Sequence, residues 1–240
     1  EDFIHDKFVK SKTIFTNGKI IQGPEVADHA LGLILSFTRN LYFISQGVSL
    51  SKLDRPIEIR NKKVLIIGLG GIGLNTAERL RAFGASVDAI SNDLIPMVSF
   101  INKIYLSDNL NSIVKNYDIV ICAAPLTKKT EQMLDYNFFK QMKKNSIFIN
   151  VSRGKIVKTK DLLKNNIYKK FRGIGLDVTD PEPINKGNVL NKAPNIFITP
   201  HVAGPSDYNR LRGFELVKEN ILRFLRNDNL LNVVDKNKGY

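Results

Sequence analysis

Residues 64–73 read Val-Leu-Ile-Ile-Gly-Leu-Gly-Gly-Ile-Gly, and the fold is decided there. The apolar run Val64–Ile67 predicts a buried strand. It enters a turn that needs Gly68, Gly70 and Gly73, each for its own reason. Gly68 permits the tight strand-to-helix turn, and Gly70 leaves room for a pyrophosphate to approach the backbone. Gly73 lets the following helix pack closely on its strand. That helix, predicted over 74–83 and stopped by Gly84, starts with unpaired N–H groups and the positive end of its dipole. Three glycines alone are weak evidence. With a further strand predicted at 86–90, they sit in the βαβ setting that a dinucleotide site requires.

Outward from this unit, strand and helix alternate. Further strands are predicted at 118–122, 146–151, 172–177 and 195–199, with helix caps at Ser107, Asp135 and Thr159. The runs Ile119–Cys122 and Ile147–Val151 do not alternate polar with apolar, as expected of parallel strands buried on both faces. The fold class is α/β, a doubly wound parallel sheet of Rossmann type. Ahead of it, residues 1–19 read as a fragment, with a short helix at Ile4–Val9, a strand at Thr13–Phe15 and a turn at Asn17-Gly18. Pro24 opens a helix predicted to reach Phe43, apolar almost all round, which predicts burial against both its own domain and a second subunit. A homodimer is therefore expected. A last amphipathic helix is predicted at about 207–226.

Composition bounds the functional classes. The 240 residues hold ample length for a core, and the single cysteine, Cys122, allows no disulfide within the chain. The opening Glu-Asp-Phe-Ile-His-Asp lacks the basic and apolar segments of a secretory leader, so the reading is cytoplasmic. The longest apolar stretch, 30–37, is too short to span a bilayer, so no membrane partner is expected. The net charge of +13 is spread over scattered lysines, without a helix-turn-helix, RRM or zinc signature. The basic surface is read as one that attracts anionic small molecules, not nucleic acid. No metal site is expected.

In doubly wound folds ligands lie at the carboxyl ends of the strands. Three loops there carry chemistry: Asn150-Val-Ser-Arg153-Gly154, Gly175-Leu-Asp177-Val-Thr-Asp-Pro-Glu182-Pro183 and Thr199-Pro-His201-Val-Ala-Gly204. Each residue has a bland reading: a surface arginine, a loop carboxylate, a satisfied histidine. Together, facing a dinucleotide, they form a coherent set. An arginine fork grips a carboxylate, and a histidine held by a neighbouring carboxylate gives or takes a proton.

On these residues the chain resembles the D-isomer-specific 2-hydroxyacid dehydrogenases, which include glyoxylate/hydroxypyruvate reductases and D-3-phosphoglycerate dehydrogenases. The matching stretches run in order: Pro-Glu-Val-Ala-Asp-His-Ala at 24–30, Gly-Leu-Gly-Gly-Ile-Gly at 68–73, Ala-Pro-Leu-Thr at 124–127 with Thr130, Asn-Val-Ser-Arg-Gly at 150–154, Gly-Leu-Asp-Val at 175–178 and Thr-Pro-His-Val-Ala-Gly at 199–204. The resemblance implies that Arg153 holds the substrate carboxylate and polarises the 2-oxo group. It implies that His201 donates the proton in reduction and that Glu182 pairs with His201. Asp177 would face the nicotinamide amide, and Gly71 and Ile72 would offer N–H groups to the pyrophosphate. Ser91, Asn92, Ala124, Pro125, Thr130, Val151, Ser152 and Gly204 complete the implied cofactor site. A glutamine stands at the position of Glu182 in the related formate dehydrogenases, so Glu182 favours 2-oxo acids.

Two departures from the family pattern stand out. Residues 1–19 are read as the remnant of the family's substrate domain, 20–204 as the dinucleotide domain and 205–240 as the segment returning to the substrate domain. Without that domain the chain should bind cofactor yet turn over poorly. The second departure is Ser91, 23 places after Gly68, where NAD users carry an acidic residue for the ribose hydroxyls. Its absence admits NADP, although no arginine stands beside Ser91 to grip a 2′-phosphate, and NADP is placed narrowly ahead of NAD. The sequence reading is thus an NAD(P)-dependent reductase of a small 2-oxo acid, glyoxylate or hydroxypyruvate first and 3-phosphoglycerate second. The alternative is a catalytically weak nucleotide-binding scaffold of the same fold.

Overall fold

The computed structural model describes residues 6–19, 21–93, 98–185 and 187–236. Its centre is a seven-stranded sheet: β1 (Lys63–Ile67), β2 (Ser86–Ile90), β3 (Lys103–Tyr105), β4 (Ile119–Cys122), β5 (Ile147–Asn150), β6 (Gly173–Leu176) and β7 (Ile196–Ile198). All neighbours are parallel, in the order β3-β2-β1-β4-β5-β6-β7. The helices are α1 (Asp6–Val9), α2 (Gly23–Thr38), α3 (Leu41–Ser45), α4 (Gly71–Ala82), α5 (Leu110–Ile113), α6 (Tyr136–Gln141), α7 (Thr159–Leu163) and α8 (Asn209–Leu225).

Side chains that alternate along a strand point to opposite faces, and both faces here are covered. Leu65 and Ile67 of β1 join Val120, Phe138, Phe148 and Leu176 in one core, whereas Val64 and Ile66 join Ile34, Phe37, Leu80 and Ile149 in the other. The order reverses beside β1, so the loops after β1 and β4 diverge and open a crevice at the carboxyl edge.

Several local expectations need correction. The strand β3 has no counterpart among the strands expected from sequence: it is three residues long, lies at the sheet edge and has no fully buried residue to make an apolar run. The helix predicted over 24–43 ends at Thr38, because Asn40 turns left-handed (φ 60°). Arg172 seals that end, donating to the carbonyls of Phe37 (3.1 Å) and Arg55 (3.0 Å) and to Asn40 Oδ1 (2.8 Å). A cation at a helix C-terminus also complements the dipole. The apolar residues of α2 bury against α4 and the sheet within one chain, so they do not by themselves demand a second subunit.

No strand forms at Thr13–Phe15; instead Thr16 makes an isolated antiparallel bridge to Val233 in the C-terminal tail. Ile4 of the first predicted helix lies outside the described residues. Asp135 caps α6 as expected, accepting from Phe138 N–H at 3.0 Å. Ser107 and Thr159 do not cap: Ser107 bonds to Asn92, and the Thr159 hydroxyl donates to the Asp180 carbonyl.

Candidate active site

The glycine loop joins β1 to α4. Gly68 has φ +96°, and a Cβ there would stand 2.5 Å from Ala124 Cα; at Gly73 it would stand 2.1 Å from the Gly68 carbonyl oxygen. Those two glycines serve the fold. Gly70 does not: a Cβ there meets nothing within 4 Å. No side chain caps α4, so its first N–H groups have no side-chain acceptor. Backbone that a ligand can approach this closely, beside an uncapped helix start, fits a pyrophosphate.

The loop after β4 carries Ala124 and Pro125. Thr130 spends its hydroxyl on shaping it, donating to the Pro125 carbonyl (2.6 Å) and accepting from Thr127 N–H (2.8 Å). After β2, Ser91 Oγ accepts from Asp93 N–H at 3.2 Å. Asn92 is pinned to Ser107 by two reciprocal bonds of 2.9 Å, so its amide is committed to the loop.

After β5 the fully buried Asn150 organises the next turn. Its Oδ1 accepts from Ser152 N–H (3.1 Å) and Ser152 Oγ (2.8 Å), and its Nδ2 donates to the Arg153 carbonyl (3.2 Å). Val151 and Ser152 are buried, and Ser152 Oγ also lies 3.2 Å from Cys122 Sγ. Burial pushes the Cys122 thiol pKa up. Arg153 is exposed and anchored by one bond, Nη1 to the Ser152 carbonyl at 2.8 Å, which leaves its other N–H groups available. Gly154 lets this turn touch the loop after β6, since a Cβ would stand 1.9 Å from the Thr179 carbonyl oxygen.

Glu182, in that β6 loop, meets His201 from the loop after β7: Oε1 lies 2.5 Å from Nδ1. Glu182 Oε2 accepts from Thr179 N–H at 3.4 Å. His201 is left-handed (φ 53°), an uncommon backbone for a non-glycine residue. Gly204 packs against Gln22, just ahead of α2. The structure thus brings Glu182 and His201 together, while Arg153 bonds within its own turn.

Asp177 is 2% exposed and holds the His201 loop from within. Its Oδ1 accepts from the Thr199 hydroxyl (2.6 Å) and Val202 N–H (3.0 Å), its Oδ2 from Ala203 N–H (3.1 Å), and its carbonyl from His201 N–H (2.9 Å). Sequence reasoning assigns no role to Asn150, Thr199 or His29. All three lie inside the quoted motifs, so position is their only signal, and His29 reaches the loop from α2.

Among the described residues, no group of three or more His, Cys, Asp or Glu residues could hold a metal ion, and no helix is long and apolar enough to cross a membrane. A groove of about 590 Å³ lies elsewhere, between α8 and residues 16–21. Its lining is mostly apolar, with Thr16, Asn17 and Asn220 as its polar members and no charged group, so the chemistry is placed at the sheet edge instead.

Comparison with known proteins identifies the family of this domain. Residues 31–203 match the profile of the D-isomer specific 2-hydroxyacid dehydrogenase, NAD binding domain. A glyoxylate reductase of Thermofilum pendens is 29% identical over 85% of this chain and 62% of its own length. A D-3-phosphoglycerate dehydrogenase of Methanocaldococcus jannaschii is 30% identical over 92% of this chain and 43% of its own length. The crystal structure of an NADPH-dependent glyoxylate/hydroxypyruvate reductase from Sinorhizobium meliloti, in complex with NADP and sulfate, is 25% identical with a TM-score of 0.81, covering 96% of this chain and 74% of that one. The chain belongs to the D-isomer-specific 2-hydroxyacid dehydrogenase family of nicotinamide-dependent oxidoreductases, through its dinucleotide-binding domain.

Proposed function

We propose that this family member reduces a small 2-oxo acid, glyoxylate or hydroxypyruvate first, using NADPH ahead of NADH. The observation that carries the reading is the Glu182–His201 pair, at 2.5 Å, on the same sheet edge as Gly70 and Arg153. Arg153 binds the substrate carboxylate through its free N–H fork and draws charge from the 2-oxo group. With Glu182 ionised, the short bond runs from His201 Nδ1–H to the carboxylate, which fixes the tautomer and leaves Nε2 to deliver the proton. The residues at the glycine loop would hold a nicotinamide dinucleotide, which supplies the hydride. The Methanocaldococcus relative keeps 3-phosphoglycerate chemistry as the second choice.

A substrate-binding domain fits against α8. No residue of that helix is buried, and Phe214 and Phe224 are each 66% exposed. Leu211, Val217 and Ile221 continue the same apolar stripe. The relatives above are longer than this chain, which leaves room for such a domain. A homodimer contact fits Leu41, Ile44 and Leu50, all exposed beside α2. The buried Cys122 suits a cytoplasmic protein.

The test is a substrate screen on the full-length protein, following NADPH and NADH oxidation with glyoxylate, hydroxypyruvate and the 2-oxo form of 3-phosphoglycerate. The reading expects turnover of one of the first two with NADPH. Cofactor binding with no turnover of any 2-oxo acid would favour the scaffold.

A further inference from the structure

His29 lies on α2, 170 residues from the loop it touches, with its side chain 22% exposed. Its Nε2 stands 2.9 Å from Thr199 Oγ1 and 3.4 Å from Asp177 Oδ1. The hydrogens can be assigned by counting. A threonine hydroxyl has one hydrogen, and Thr199 gives it to the Asp177 carboxylate at 2.6 Å. The hydroxyl can then only accept from His29, so His29 Nε2 carries the hydrogen and donates.

The chain His29, Thr199, Asp177 closes around one loop. Asp177 holds the backbone N–H groups of Val202 and Ala203, and its carbonyl holds that of His201. His201 sits inside this wrapping with φ 53°. A left-handed conformation at a non-glycine residue persists only where its surroundings over-determine it. His29 reaches this network from a helix on the sheet's flank.

We propose that His29 is a positioning residue: its Nε2–H locks Thr199 onto Asp177 and so holds His201 within reach of Glu182. The inference rests on His201 being the proton donor, and it is tested by a readout that needs no turnover. This chain has three histidines, so their imidazole N–H signals can be told apart in proton NMR by single His→Asn substitutions. The short His201–Glu182 bond should give a strongly downfield N–H resonance, identified by its loss in His201→Asn. That resonance should disappear in His29→Ala and return in His29→Gln, whose amide Nε2 donates from nearly the same place.

In the same variants kcat should fall about tenfold for His29→Ala, with KM within about twofold, and recover in His29→Gln. A resonance unchanged in His29→Ala overturns the proposal. So does its absence from the wild type, or its loss in both variants, which would make the ring's packing the cause. If no 2-oxo acid is turned over but the resonance follows the pattern, the functional reading fails while the positioning role stands.

Discussion

Glu182 Oε1 lies 2.5 Å from His201 Nδ1, although the two residues come from loops after different strands. The topology makes the meeting possible, because β6 and β7 are parallel neighbours and both deliver their loops to the carboxyl edge. Asp177, at the end of β6, then draws the β7 loop inward by bonds to Thr199, Val202 and Ala203. The pair is therefore a product of backbone control from Asp177 as much as of charge attraction.

Gly70 separates the needs of the fold from those of the ligand. Because a Cβ at Gly70 meets nothing in the protein, Gly70→Ala should keep its stability to within about 1 kcal/mol. It should nevertheless weaken NADPH binding at least tenfold, as read by cofactor fluorescence. Gly73→Ala should instead lose about 3 kcal/mol or more, because its Cβ is driven into the Gly68 carbonyl. Unchanged affinity in Gly70→Ala would move the pyrophosphate elsewhere.

Ser91 is the handle on cofactor choice. Ser91→Asp places a carboxylate where a 2′-phosphate would lie, and like charges at contact cost about 1–4 kcal/mol in the range from water to a protein surface. The ratio of NADPH to NADH affinity should fall by about tenfold or more. A ratio that does not move would show that the adenosine ribose lies away from the β2 loop.

Asp118 gives a pH dependence to stability. Burial pushes its carboxyl pKa up, but the Lys63 N–H (2.9 Å) and the Lys143 ammonium (2.9 Å) more than offset this, and the net shift is downward. A lowered folded-state pKa contributes stability that is present above the ordinary carboxylate range and lost as pH falls through the folded value. Thermal melts should therefore show wild type above Asp118→Asn at neutral pH, with the gap closing below about pH 4. A gap that does not change with pH would contradict it.

The parts of this fold legible in sequence are those whose requirement is local. The glycine loop is written in adjacent residues, and buried parallel strands such as Ile119–Cys122 announce themselves as unbroken apolar runs. Arg153, Glu182 and His201 could be grouped because a doubly wound sheet gathers its strand-end loops on one edge. What escaped depends on distant partners. The end of α2 at Thr38 is sealed by Arg172, 135 residues beyond Phe37. The edge strand β3 is too short to carry a pattern, and Asp177 shows its grip on the His201 loop only once β6 and β7 are side by side.

The most direct test of the account is NADPH oxidation by glyoxylate in wild type and His201→Asn of the full-length protein. Asparagine tolerates the left-handed backbone that His201 adopts, so the loop should survive the change. The account predicts unchanged NADPH affinity with kcat lowered by about a hundredfold or more, the scale of a lost general acid. A kcat within about twofold of wild type would remove His201 as the proton donor, and with it the role assigned to Glu182.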